Sequence, residues 1–258
     1  MDLGLNGRII LITGGSKGIG LACASAFAAE GCRVAICSRS QANVDQALAG
    51  LPGAVGFVAD CSDAEAAAAL VEAVETRLGP VDVLVSSAGA ARQSPPDDLT
   101  PAAWRAAMDG KYFSTINVVD PMVKRMAARG RGVILNVIGS GGRVASPVHL
   151  PGGAANAALM LATAGLGAAY APRGVRVVGI NPGMTETGRV ATRLDADAKR
   201  LGISVEEARQ RNVEKIPMGR LATPKEIAET LVFLASDRAS YITGVTLTMD
   251  GARNPVVL

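Results

Sequence analysis

The chain carries no block of lysines and arginines interleaved with aromatics, and its formal net charge is only +3. A nucleic-acid partner, whose phosphates reward such a block, is therefore not expected. It also lacks any C-x-x-C pair: Cys23, Cys32, Cys37 and Cys61 crowd the first quarter, each in a segment readable as core helix or strand. They read as reduced core residues rather than as a metal site or a disulfide framework. The opening Met1-Asp2-Leu3-Gly4-Leu5-Asn6 has neither the positive flank nor the small-residue cleavage site of a secretory signal, so a cytoplasmic protein is expected. The longest weakly polar stretch, 157–171, is short for a membrane span and rich in glycine and alanine. A packing helix, with no membrane partner, is expected there.

What the chain has is apolar bulk. Of its 258 residues 49% are hydrophobic, enough for one sizeable α/β domain spanning 1–258. Continuous apolar runs at 9–13, 33–37, 55–58 and 81–85 read as strands buried on both faces, separated by small-residue helices. Ser62 and Glu65 have capping-box spacing at one helix start. The second half repeats the scheme: a long helix opening at Thr100-Pro101, strands at 133–137, 175–180 and 245–249, and a helix at 153–170. A last helix is introduced by Thr223-Pro224-Lys225-Glu226. This alternation specifies an α/β fold, a single doubly wound Rossmann-type domain with a central parallel sheet and helices on both faces. Residues 185–216, polar and strandless, break the pattern and read either as a lid over the cleft or as a solvated helical excursion.

The first strand runs directly into Thr13-Gly14-Gly15-Ser16-Lys17-Gly18-Ile19-Gly20, and a helix follows at 21–29. Glycines let the backbone turn tightly, approach a pyrophosphate and pack helix on strand, while the helix N-terminus turns its partial positive charge to the phosphates. In a βαβ unit such a turn is a dinucleotide site. After the second strand stand Ser38-Arg39 and no carboxylate. An arginine fork suits the extra phosphate of NADP(H), where an acidic residue would suit the ribose hydroxyls of NAD(H), and Lys17 adds a second cation. NADP(H) is favoured over NAD(H); in the competing reading Arg39 is a solvated loop residue.

The spacing T-G-x-x-x-G-x-G resembles that of the short-chain dehydrogenase/reductase family, and the similarity covers nearly the whole chain. The resemblance implies cofactor contacts from Thr13, Gly14, Ser16, Lys17, Gly18, Ile19 and Gly20, and from Ser38 and Arg39. It adds Asp60 with Cys61 at the adenine, Ala88-Gly89 after the fourth strand, and Pro182, Gly183, Thr185 and Thr187 beyond Asn181 on the nicotinamide side. It also implies a reaction centre of a tyrosine, a lysine one helical turn later, an upstream serine and an asparagine on the preceding helix. Here those positions fall on Gly152, Asn156, Gly139 and Lys111, with Ser140 beside Gly139. Ser86-Ser87 likewise replaces the family's paired asparagines.

Another titratable group within hydrogen-bond reach would restore the chemistry. Lys111 would enter the cleft, where burial and a positive field on the Arg39 side would depress its pKa; alternatively it bonds the ribose or a carbonyl. His149, the only histidine, precedes Gly152 on a loop facing the nicotinamide, and is either an acid or base or a surface-loop residue. Ser140 is a substrate hydrogen-bond donor or a backbone cap, and Asn156 bonds the ribose hydroxyls or caps the helix start. Glycines at 152 and 153 are expected to open space for a bulkier substrate or water. Tyr112 and Tyr170 read as packing residues.

Three functions remain open at this point. The first is an NADP(H)-dependent oxidoreductase of a small carbonyl or alcohol, with Lys111, His149 and Ser140 as catalytic candidates. The second is a non-redox enzyme on the same scaffold, and the third a cofactor-binding sensor or partner subunit without catalysis. Specificity for a small-molecule substrate would lie in the loops 90–98, 141–151 and 185–216. The small-residue helix 153–171 either packs within the chain or pairs with a symmetry mate into a homodimer or homotetramer.

Overall fold

Isoleucine and leucine fill β1 (Ile9–Thr13), and every residue of it is buried, as a strand covered on both faces requires. The computed structural model describes residues 2–89, 91 and 93–256. β1 is flanked on one side by β2 (Arg33–Ser38) and then β3 (Val55–Val58). On the other side follow β4 (Val83–Ser86), β5 (Gly132–Val137), β6 (Val175–Pro182) and β7 (Thr246–Met249). Every pairing is parallel. The winding direction reverses between β1 and β4, and the crevice beyond their carboxyl ends is where such sheets bind ligands.

Helices α1 (Gly18–Ala29), α2 (Gln41–Leu48) and α9 (Pro224–Ala235) cover one face; α3 (Ala64–Leu78) and α5 (Ser114–Ala128) cover the other. Successive strand residues point to opposite faces. Ile10 and Ile12 therefore meet Phe27, Ile227 and Leu231, while Ile9 and Leu11 meet Leu70, Val74, Met122 and Met126. Each such burial is worth about 1.5–3 kcal/mol. The Rossmann-type reading holds strand by strand.

Local differences have identifiable causes. Helix α1 starts at Gly18 rather than at Leu21. Asp63, not Ser62, caps α3 by accepting from the Ala66 amide at 2.9 Å, because the Ser62 hydroxyl is engaged by Asp60 Oδ1 at 2.7 Å. The helix opened by Thr100-Pro101 is not continuous: α4 (Pro101–Ala107) passes through a π-helical turn, Met108–Phe113, into α5. Thr223 and Glu226 do form the expected capping box. The thiols are all unpaired, but Cys32 and Cys61 lie in connections rather than in helix or strand.

Residues 185–216 form α7 (Gly188–Leu201) and α8 (Val205–Val213), held by a small core of Met184, Leu194, Val213, Ile216 and Leu221 and by a bridge between Thr185 and Ala222. This is a packed subdomain at the mouth of the crevice. Helix α6 (Leu150–Tyr170) starts three residues earlier than its sequence pattern indicates, and the stretch Leu150–Arg173 is long and apolar enough, by length and composition, to cross a membrane. Its inner face, with Ala155, Leu159, Thr163 and Gly167, is nonetheless packed within the domain, where Gly167 lies against the Gly244 backbone.

Candidate active-site cleft

The carboxyl ends of β1, β2, β4, β5 and β6 open into one cleft of about 1080 Å³. Its walls include Gly14, Ser16, Lys17, Gly18 and Ile19 of the glycine turn, Ser38 and Arg39 after β2, Asp60 and Cys61 after β3, Ala88 and Gly89 after β4, and Pro182, Gly183, Thr185 and Thr187 after β6. Thr13 and Gly20 support this wall from behind. The Thr13 hydroxyl accepts from the Ala88 amide at 3.3 Å, and a Cβ on Gly20 would stand 2.2 Å from the Gly14 carbonyl. Gly14 itself has φ +65° and lies so close to Ala88 that a Cβ would come within 2.8 Å of its nitrogen. Only glycine allows that approach.

A dinucleotide fits this cradle on an observation independent of motif. Helix α1 begins at Gly18 with no side-chain cap from its N-cap residue Lys17, a trait it shares with α5 and α6, but it is the first turn of α1 that lies on the cleft wall at Gly18 and Ile19. Amide donors left open at a helix start on a cleft wall suit an anion. At the far end Asp60 is held below the usual carboxylate range by the Ser62 amide and hydroxyl, with Arg39 a smaller contributor. Asn43 and Gln46 of α2 join Arg39 on that wall. Their shared helix face is the only sequence signal that would have found them.

The other end of the cleft holds Lys111, carried on the π-helical turn. That turn packs under the loop after β4, since a Cβ on Gly89 would stand 3.1 Å from the Gly110 carbonyl and 3.5 Å from the Lys111 Cα. Lys111 Nζ donates to the Ile138 carbonyl at 3.2 Å. The residue keeps intermediate exposure because it faces the cleft, yet the protein around it strips enough hydration to bring its pKa from 10.5 down to about 8, with Arg189 adding repulsion. The positive field thus comes from Arg189 on α7 and not from the Arg39 side. Arg189 also spans the cleft mouth, donating from Nη2 to the Gly89 carbonyl at 2.8 Å.

Glycine at 152 does not open a gap. The His149 imidazole lies over it, and a Cβ there would be 2.2 Å from Cε1 and 2.4 Å from Nε2 of His149. His149 is the N-cap residue of α6, and its Nδ1 is buried without a hydrogen-bond partner among the described residues. Burial first, then Lys111 and Arg193, hold its pKa below the ordinary histidine value. Ser140 opens the 3-10 turn Ser140–Gly142 next to Gly139, which lines the cleft while Ser140 does not. Asn156 is buried in the second turn of α6, too far in to cap it, with Oδ1 unpartnered among the described residues and Nδ2 3.2 Å from where a Gly139 Cβ would be. It fills the space beneath Gly139 rather than forming the cleft wall. The Gly139 amide in turn donates to Asn181 Oδ1 at 3.2 Å. Of the specificity loops, Ala90 and Arg92 lie outside the described residues.

Known proteins share this architecture over nearly its whole length. Residues 14–252 match the family model described as enoyl-(acyl carrier protein) reductase. The chain is 35% identical to 2-(S)-hydroxypropyl-CoM dehydrogenase 3 of Xanthobacter autotrophicus, over 98% of each chain. It is 35% identical to D-threitol dehydrogenase of Mycolicibacterium smegmatis, over 97% of this chain and 94% of that one. Among solved structures, L-sorbose reductase from Gluconobacter frateurii, complexed with NADPH and L-sorbose, superposes with a TM-score of 0.91 at 29% identity, covering 97% of this chain and 98% of that one. A variant of actinorhodin polyketide ketoreductase with NADPH gives 0.92 at 30% identity, covering 96% and 97%.

Proposed function

The chain belongs to the short-chain dehydrogenase/reductase family of oxidoreductases, and from that premise we propose that it is an NADP(H)-dependent oxidoreductase of a small carbonyl or alcohol with Lys111 as its proton donor. The observation that carries this reading is the Lys111 ammonium: it sits on the cleft wall, bonds a neutral carbonyl, and has a pKa of about 8. A general acid works best when its pKa lies near the working pH. Arg39 and Lys17 support the phosphorylated cofactor, and two structural relatives were solved with NADPH.

When bound, NADPH supplies a hydride to the carbonyl carbon. Lys111 gives its proton to the oxygen that becomes the alcohol and takes one back in the oxidation direction. The Ile138 carbonyl orients the ammonium, and burial, with Arg189 adding repulsion, keeps its pKa low enough for release. His149, standing over Gly152 where the family's catalytic tyrosine would project, is the second proton-handling group, whereas Ser140, off the cleft wall behind Gly139, is not assigned a contact to substrate. The active site is thus atypical: Gly152, Asn156, Gly139 and Lys111 take the places of tyrosine, lysine, serine and asparagine.

The test is NADPH consumption across a panel of small ketones and aldehydes. Tight NADPH binding with silence across the whole panel would instead favour a cofactor-binding protein without redox activity. Gly152→Ala is expected to lower turnover as far as His149→Ala does, because the new Cβ displaces the imidazole, and the double variant should lose nothing more. Additive losses, measured as kcat/KM, would separate the two residues.

Self-association belongs to the same reading. The outer face of α6 presents Ala154, Ala157, Ala164 and Ala168 around Leu161, which is 77% exposed. An apolar, small-residue face of this kind suits close packing against a second copy, and a homodimer or homotetramer is proposed. Leu161→Arg should shift the light-scattering mass toward the monomer, whereas an unchanged mass would place any interface elsewhere. The four free thiols fit a reducing, cytoplasmic setting.

A further inference from the structure

Positive charge outnumbers carboxylate around the substrate end of the cleft: Lys111 and Arg189 line it without an ion pair among the described residues, and Arg193, behind Arg189, has only a long contact to Asp197. Arg189 and Arg193 lie one turn apart on α7, and residues at that spacing share a helix face. Arg189 bonds the neutral Gly89 carbonyl, and Lys111 bonds the neutral Ile138 carbonyl. Arg193 has its Nε buried without a hydrogen-bond partner among the described residues; the Asp197 carboxylate is 3.8 Å from it and also engages Arg200 at 3.0 Å. These charges feel one another. Burial is the main cause that lowers the pKa of Lys111, His149 and Arg253, and neighbouring charges add to it: Arg189 on Lys111, Lys111 and Arg193 on His149, and Arg193 on Arg253, with Asp250 pulling Arg253 the other way. Like charges held together and partly dehydrated cost stability, and an arriving anion relieves that cost.

We propose that Arg189 and Arg193 bind a carboxylate carried by the substrate, so that the carbonyl or alcohol handled here belongs to a short oxo- or hydroxy-acid. This deepens the oxidoreductase reading and rests on it for the word substrate. Two guanidinium forks on one helix face match the planar geometry of a carboxylate. The cofactor's extra phosphate has its own cations, Lys17 and Arg39, elsewhere on the cleft wall. A carboxylate near Lys111 also favours its protonated form and so loads the proton donor when substrate is present.

The proposal is tested by binding before turnover, with butyrate and the isosteric butyramide titrated into the NADPH-saturated protein and read by calorimetry. Butyrate should bind at least about tenfold more tightly than butyramide, since one charge-assisted hydrogen bond alone is worth that ratio. Arg193→Met should erase about tenfold of the preference, Arg193→Lys should keep most of it, and the Kd for NADPH should stay unchanged in both. Equal binding of the two probes overturns the proposal. So does a parallel loss of NADPH and butyrate affinity in Arg193→Met, which would identify the anion as a cofactor phosphate. A second arm compares kcat/KM for 3-oxobutyrate and its methyl ester, with the free acid expected to lead by about tenfold or more. If both are inert while butyrate is still preferred, the redox reading fails and the anion site stands.

Discussion

Lys111→Met should abolish carbonyl reduction and at the same time make the protein more stable. A positioned general acid contributes about 10²–10⁴-fold, and methionine keeps the length of the side chain without a proton to give. The stability gain follows from the same displacement of the pKa, from 10.5 to about 8, by desolvation and by Arg189. The folded-state value lies below the unfolded one, so the protonated lysine opposes folding at every pH below about 8. That penalty fades between about 8 and 10.5 and is absent above both values. Because the residue still faces solvent in the cleft, only part of the shift converts into stability, about 1 kcal/mol at neutral pH. Melting temperatures of the two proteins should therefore differ at pH 7 and converge in strong alkali. In wild type, kcat/KM for reduction should be level below about pH 8 and fall above it, while oxidation, which needs the free amine, should rise across the same range. Retained turnover in Lys111→Met would move the acid elsewhere, and a melting temperature lowered at every pH would show the lysine to be structural.

Much of this architecture is legible in the sequence because it depends on local pattern. A strand buried on both faces must be apolar throughout, as 9–13 is, and a turn that lets Gly14 approach Ala88 must be glycine. Caps are legible where one side chain has one partner, as at Thr223 and Glu226; they mislead where two residues compete, as when Asp60 engages Ser62 and leaves α3 to Asp63. The reaction end is less legible because its geometry comes from contacts between distant segments. The π-helical turn that aims Lys111 rests against the loop at Gly89, and the charge that lowers its pKa arrives from Arg189 on α7. Counting positions finds Gly152 and infers a gap, but the closing loop folds His149 into it. Asn156 looks like a ribose or capping group until α6 is seen to start at Leu150, which buries it beneath Gly139.

Arg39→Ala should weaken NADPH binding by about 10–100-fold and leave NADH nearly untouched, because charge-assisted hydrogen bonds to a phosphate are worth about 1.5–3 kcal/mol and the ribose hydroxyls of NADH offer no matching charge. The site is prepared for this discrimination. Arg39 is exposed on the cleft wall and forms no ion pair among the described residues, while Asp60, a carboxylate on the same wall, is occupied by the Ser62 amide and hydroxyl. A guanidinium not tied to a carboxylate is available to a phosphate at little cost. Lys17, exposed at the start of α1, should contribute a smaller share, since an ammonium acts as a point charge without the arginine fork. Arg39→Asp goes further: a carboxylate at the end of β2 repels the phosphate and accepts from the ribose hydroxyls, so the preference should invert toward NADH. Titrations of both dinucleotides at two salt concentrations read the effect, with the NADPH advantage shrinking as screening increases. Equal affinities in wild type, or parallel losses for both cofactors in Arg39→Ala, would mean that Arg39 shapes the adenine pocket and that the choice between cofactors is made by other residues.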